Sequence, residues 1–355
     1  MKKRTFLCGP VEIPDFVLKS LHRESFSHRT PEYEDVHRDV VALMQKVFVT
    51  SRDIYVVTAS GTGAMEASIT NCFSPGDHVV VPIVGNFSTQ FSTMLQKFGL
   101  KVTEVPFEYG ASADPSVVEP YLIEDVKGLF VVHNESSSGV SNDLEAFGKL
   151  TRGTPILLVT DSVSGAGGLP LKMDEWGVDI VITASQKCLM SPAGLSFIAL
   201  SAKAEAAMEH SSFPSYYFGL DRFKEKSVIH QTPTTPGIYT LIAVQRALHY
   251  LNEEGFEQAL QRTKSNAERL RQGLKELGLD LVAKDGAIAS DTLSTVRVPD
   301  AKDFRKKLKE KGFIIAGGLP PHTEDTVRIG TMGYVFKEDI EALLSAIKEV
   351  LNHDS

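Results

Sequence analysis

The sequence predicts an α/β protein: a large unit built on a mainly parallel seven-stranded sheet, followed by a small C-terminal α+β unit. Three observations lead there. Seven short apolar, β-rich runs recur at residues 54–57, 79–81, 102–105, 129–132, 156–159, 179–182 and 196–199. The stretches between them are amphipathic or open on glycine, as helices covering a parallel sheet do. Beyond Pro236 the pattern changes to long helical periodicity and then to isolated strands between charged helices.

The elements follow in order. Residues 237–255 place apolar side chains at helical spacing and end on Gly255, and a second helix runs to about Leu277; together they link the two units. A strand near 292–298, a charged helix over 301–311, strands at 313–316 and 326–329, and a helix over 337–351 complete the tail. There is no internal repeat or low-complexity tract. A chain of 355 residues with 42% hydrophobic content is long enough for one large core and a smaller one.

A net charge of −8 disfavours nucleic acid or an anionic membrane as partner and favours small molecules. The N-terminal MKKRTFLCGPVEIPD has too short an apolar stretch for a secretory signal, and no run approaches membrane-spanning length. Cys8, Cys72 and Cys188 are widely separated, which points to a reducing, cytoplasmic setting with neither a disulfide framework nor a cysteine zinc site. The histidines, His133 included, show no paired metal-ligand spacing, so no metal is expected.

Three segments could carry chemistry. Thr58-Ala59-Ser60-Gly61-Thr62-Gly63-Ala64 is a glycine and hydroxyl turn between a strand and a helix, which suits a phosphate and equally a plain helix cap. Asp161, in Val159-Thr160-Asp161-Ser162-Val163-Ser164, ends an apolar strand where ligands of open sheets collect; a turn-capping aspartate is the simpler alternative. Lys187, in Ser185-Gln186-Lys187-Cys188-Leu189, follows an apolar strand, and desolvation there would leave a neutral, nucleophilic amine; a solvated surface lysine is the commoner alternative.

With Asp161 placed 26 residues before Lys187, this constellation resembles the class V aminotransferases, fold-type I pyridoxal-phosphate enzymes, nearly end to end. The nearest branch is similar to the alanine/serine–glyoxylate (or pyruvate) aminotransferases. The resemblance is carried by Cys8-Gly9-Pro10-Val11, Ser27-His28-Arg29-Thr30-Pro31-Glu32-Tyr33, His133-Asn134-Glu135-Ser136-Ser137-Ser138-Gly139, Thr232-Pro233-Thr234-Thr235-Pro236 and Val327-Arg328-Ile329-Gly330, besides the segments above.

The resemblance implies a ping-pong transaminase. Lys187 would hold pyridoxal 5'-phosphate as a Schiff base and shuttle the substrate proton, and Asp161 would pair with the ring nitrogen. Phe87 would stack on the ring; Ser60, Gly61, Thr62, Gly63 and the Ala64 amide would hold the phosphate, with Gln186 and Ser136 beside the cofactor. Arg328 would grip the substrate carboxylate, with Gly9 closing over it. The family's homodimer would bring Thr234 or Thr235 of one chain to the other's phosphate. Residues 1–15 are then a segment closing over the active site, 16–255 the cofactor-binding domain and 256–355 the small domain. Several relatives have Trp in place of Phe87 and His in place of Ala64. A small amino acid, alanine or serine, and a 2-oxo acid are the expected substrates; a 2-aminoethylphosphonate–pyruvate aminotransferase is the alternative. A cysteine desulfurase would need a nucleophilic cysteine beyond Cys188, and a non-enzymatic regulator an attached DNA-binding domain; the sequence has neither.

Overall fold

The computed structural model describes residues 3–352; residues 1–2 and 353–355, the outer ends of the expected N-terminal segment and small domain, lie outside the described residues. The strands are β1 (Arg4–Phe6), β2 (Ile54–Val57), β3 (His78–Ile83), β4 (Lys101–Pro106), β5 (Val126–Val132), β6 (Asn134–Glu135), β7 (Val140–Ser141), β8 (Leu157–Asp161), β9 (Ile180–Ala184), β10 (Ser196–Leu200), β11 (Leu293–Arg297), β12 (Phe313–Gly317) and β13 (Thr326–Gly330).

All seven expected runs are strands of one sheet, ordered β2-β10-β9-β8-β5-β3-β4. Neighbours are parallel except at β10, which runs antiparallel to both β9 and β2. Two reversals cancel, so β2 points the same way as β9, and six carboxyl ends meet one edge.

Alternate residues of each strand feed opposite cores, as the period of two requires. Ile54, Val56, Leu129 and Val131 pack under the helices Pro31–Phe48 and Ile238–Glu254. Tyr55, Val57, Phe130 and Val132 pack under the helices Gly61–Cys72 and Asn86–Lys97. The helix Pro31–Phe48 is an addition to the sequence reading; Pro31 stands in its first turn and Tyr33, Val36, Val40, Leu43, Met44 and Val47 form its buried stripe.

The second sheet has the order β1-β12-β13-β11. Its core joins Phe6 to Leu270, Leu308, Ile315, Val327, Ile329, Ile340 and Ile347. Strand β1 pairs in parallel with β12, Phe6 opposite Ile315, so residues 4–6 extend the C-terminal sheet before the chain reaches Gly9. Among the described residues no helix is long and apolar enough to cross a membrane, and no group of three His, Cys, Asp or Glu could hold a metal.

Asp179, expected to begin a strand, instead lies just before β9 and ties three neighbours together. It accepts hydrogen bonds from Leu158 N at 2.9 Å and Ser201 Oγ at 2.6 Å, and pairs with Lys203 Nζ at 2.7 Å while almost wholly buried. An acid suits this place because the buried Leu158 N–H needs an acceptor, and the Lys203 ammonium, which also donates to the Ile156 carbonyl at 2.7 Å, brings a countercharge. Asp179→Ala takes the acceptor from the buried Leu158 N–H and the countercharge from the partly exposed Lys203, so urea unfolding is expected to show a loss of about 2 kcal/mol with an unchanged slope.

Candidate active site

Four segments leaving the common edge of the sheet, after β2, β3, β8 and β9, with the β6 hairpin beyond β5 and the chain beyond β1, close around one cavity of about 210 Å³. Gly9, Ser60, Gly61, Thr62, Phe87, Ser136, Asp161, Gln186 and Lys187 all line it. A larger groove of about 750 Å³ beside β1 gathers none of them.

Asp161 is the last residue of β8 and is buried. Its Oδ1 accepts the Val163 N–H at 2.8 Å. Burial pushes its carboxyl up to about 6; the Val163 N–H opposes this, the nearby Glu135 charge adds to it and Lys187 opposes it. Lys187, two residues beyond the Ser185 turn that leaves β9, donates from Nζ to the Cys8 carbonyl at 2.6 Å. Burial lowers its pKa, against the opposing influence of Cys8, Asp161 and Cys188. The chain over Lys187 is fixed by Val11 N donating to Gln186 O at 3.0 Å. A Cβ at Gly9 would overlap Lys187 Cδ and come within 2.7 Å of Nζ, and Gly9 also has φ +101°, so glycine is required there on both counts.

The turn after β2 starts the helix Gly61–Cys72 with Ser60 in the capping position. Here the structure amends the expectation for Gly63 and Ala64. Their amides donate to the Ser60 carbonyl at 3.0 and 3.2 Å, and neither residue lines the cavity. The first-turn amides of Gly61 and Thr62 have no acceptor within the helix and are the donors open to an anion. The Ser60 hydroxyl makes no capping bond. Gly61 fits because a Cβ there would lie 2.5 Å from Val163 Cγ2.

Arg328, on β13, donates from Nε to Gly317 O at 2.8 Å and from one terminal nitrogen to Ser136 O at 3.1 Å. It therefore touches the cavity through Ser136 rather than lining it. Ser136 Oγ donates to Ser164 Oγ at 2.7 Å. Thr234 is half-buried and Thr235 exposed, and neither lines this chain's own cavity. His133 is buried with Nδ1 2.8 Å from Ser162 Oγ, and burial lowers it to about 4, so it is a neutral structural imidazole.

Pro10, Met65, Gln90, Asn134, Val163 and Ser164 also line the cavity and were not singled out by sequence. Met65 and Gln90 stand three residues after Thr62 and Phe87, one helical turn along the same face, and that spacing could have found them. Asn134 and Ser164 hold each other, Nδ2 to Oγ at 2.8 Å, a contact across 30 residues with no local signal.

The residues present suit an anionic, aromatic, amine-reactive group. Gln186 Oε1 is buried without a hydrogen-bond partner, Asp161 is a costly buried acid, and the helix start is open to an anion.

Residues 17–343 match the family described as Aminotransferase class-V. The serine–glyoxylate aminotransferase of Methylorubrum extorquens is 34% identical over 348 residues, covering 94% of this chain and 87% of the relative. The L-aspartate–glyoxylate aminotransferase of Paracoccus denitrificans is 31% identical, covering 92% and 86%. A crystal structure of alanine–glyoxylate aminotransferase from Nostoc sp. superposes with a TM-score of 0.93 at 27% identity, covering 99% and 96%. A family match over most of the length, on a sheet whose carboxyl edge gathers Lys187 and Asp161, makes this chain a member of the class V aminotransferases, pyridoxal-phosphate-dependent transaminases.

Proposed function

We propose that the chain moves an amino group from a small amino acid, alanine or serine, to a 2-oxo acid such as glyoxylate or pyruvate, with Lys187 and Asp161 as its central groups. The convergence of a desolvated amine, a buried acid and an open helix start in one cavity carries this proposal. Relatives named for serine, aspartate and alanine all share glyoxylate in their names.

Each side chain has a task its surroundings suit. Lys187 Nζ, its pKa lowered by burial, holds the cofactor and then carries a proton away from the α-carbon of the donor. Asp161 sits where a cationic ring nitrogen would relieve its buried charge. When bound, pyridoxal phosphate supplies an electron-accepting ring that stabilises charge developing at the carbon bearing the amino group. The Gly61 and Thr62 amides, with the Ser60 and Thr62 hydroxyls, take the phosphate, Phe87 covers the ring and Gln186 lies alongside. Arg328, its guanidinium already oriented by Gly317 and Ser136, binds the carboxylate that donor and oxo acid have in common. One clamp serving both in turn suits a ping-pong scheme, in which the donor's oxo-acid product leaves before the second oxo acid binds.

The assembly proposed is a homodimer in which Thr234 or Thr235 reaches the partner's cavity. Tyr216, Val228 and Tyr239, on the same stretch of chain, are exposed apolar groups a second copy could cover. The division into residues 1–15, 16–255 and 256–355 is part of the same proposal, as is a reducing, cytoplasmic setting for the three unpaired cysteines.

Lys187→Ala is expected to abolish the visible absorbance of the lysine-bound cofactor and the transamination of alanine or serine; a persisting band would sink the assignment. With the wild-type protein, alanine and serine should bleach that band and 2-aminoethylphosphonate should not. For Asp161 the sign follows from its raised pKa: as the carboxyl ionises between pH ~4 and ~6, the cofactor-free chain loses stability on the order of 3 kcal/mol. Asp161→Asn should therefore raise the melting temperature of the cofactor-free chain at pH 7.5 but not at pH 4, while weakening uptake of pyridoxal phosphate.

A further inference from the structure

We infer that Glu135 is a positioning residue that sets both the face presented by Phe87 and the orientation of Arg328. This rests on the proposed cofactor site. Glu135 lies on β6 and is completely buried, yet it lines neither the cavity nor any cationic side chain. Its charge is held by hydrogen bonds instead, divided between two segments. Oε2 accepts from Phe87 N at 3.0 Å, Ser88 N at 3.1 Å and Ser88 Oγ at 3.3 Å. Oε1 accepts from Ser137 N at 3.1 Å and Ser137 Oγ at 2.7 Å.

The first set lies at the start of the helix Asn86–Lys97, where free amides and the helix dipole favour an anion. Phe87 is the second residue of that helix, so the carboxylate fixes where its ring enters the cavity. Gly85 leaves room for this, since a Cβ there would lie 2.6 Å from Glu135 Cγ. The second set fixes the turn whose middle residue is Ser136, and the Ser136 carbonyl receives Arg328. The next carbonyl, Ser137 O, accepts from Tyr109 Oη at 2.6 Å and Thr295 Oγ1 at 3.2 Å, which locks the turn from its other side. One carboxylate thus joins the ring-covering helix to the carboxylate clamp. Both oxygens must be acceptors, so an amide fits only half the donors whichever way it turns.

The test is Glu135→Gln, with Glu135→Asp as the milder change. The cofactor-free chains are titrated with pyridoxal phosphate, and kcat and KM for alanine are measured at saturating cofactor. Glu135→Gln is expected to weaken cofactor binding about tenfold, to raise KM more than it lowers kcat, and to reduce the visible circular dichroism of the bound cofactor. Glu135→Asp, one methylene too short, should fall between. Gly148→Ala is the structural control: its Cβ would overlap the Trp176 carbonyl on a helix that does not line the cavity, so it lowers the melting temperature but leaves these constants unchanged. Wild-type constants in Glu135→Gln overturn the inference, as does an equal loss of cofactor affinity in Gly148→Ala. If Glu135→Gln does not fold, Glu135→Asp decides alone by the same constants. A wild-type chain that takes up no pyridoxal phosphate instead refutes the functional proposal itself.

Discussion

Six of the seven strands in the large sheet run the same way, and nearly everything else follows from that direction. Connections between parallel strands must cross back over the sheet, so every strand's carboxyl end opens into a turn on the same edge. The glycine turn after β2, the Phe87 helix after β3, the β6 hairpin after β5, Asp161 on β8 and Lys187 after β9 are brought within reach of each other by topology alone. Strand β10, the one reversed strand, lets β2 join this set from the far side of β9.

The electrostatics of the site are a consequence of that enclosure. A carboxyl raised to about 6 and an amine lowered by burial are each poorly solvated, and the influence of each on the other offsets that burial only in part. Such a cavity favours a ligand carrying its own cation, anion and electrophilic carbon. Pyridoxal phosphate has all three. Glu135 differs because five hydrogen-bond donors hold its charge, and no ligand is needed to balance it.

The sheet was legible because most of its strands are apolar along nearly their whole length, as buried parallel strands are; the edge run at 102–105, with Thr103 and Glu104, is the exception. Lys187, Asp161 and the Ser60 turn were legible because each follows such a run directly. Strand β1 was not, since three residues carry no usable period and its pairing with β12 spans most of the chain. The helix Pro31–Phe48 carries its own legible stripe in Tyr33, Val36, Val40, Leu43 and Val47. The Gly63 and Ala64 amides show a detail the motif does not carry: in this turn the Ser60 carbonyl accepts from both, which leaves the amides of Gly61 and Thr62 open. Glu135 could be seen as a letter in a motif but not as a junction, because its partners lie 47 and 48 residues upstream and two residues downstream.

The N-terminal strand has a consequence of another kind. By pairing with β12, β1 covers what is otherwise the open margin of the four-stranded sheet. A chain shortened past Phe6 would present the unpaired backbone of β12, with Phe313, Ile314 and Ile315 along it, to any other extended segment. Trimming the first few residues thus exposes a template for intermolecular sheet growth. For handling the protein, residues 4–6 are a guard against aggregation, and a proteolytic nick past them would open this edge and take Phe6 out of the core together.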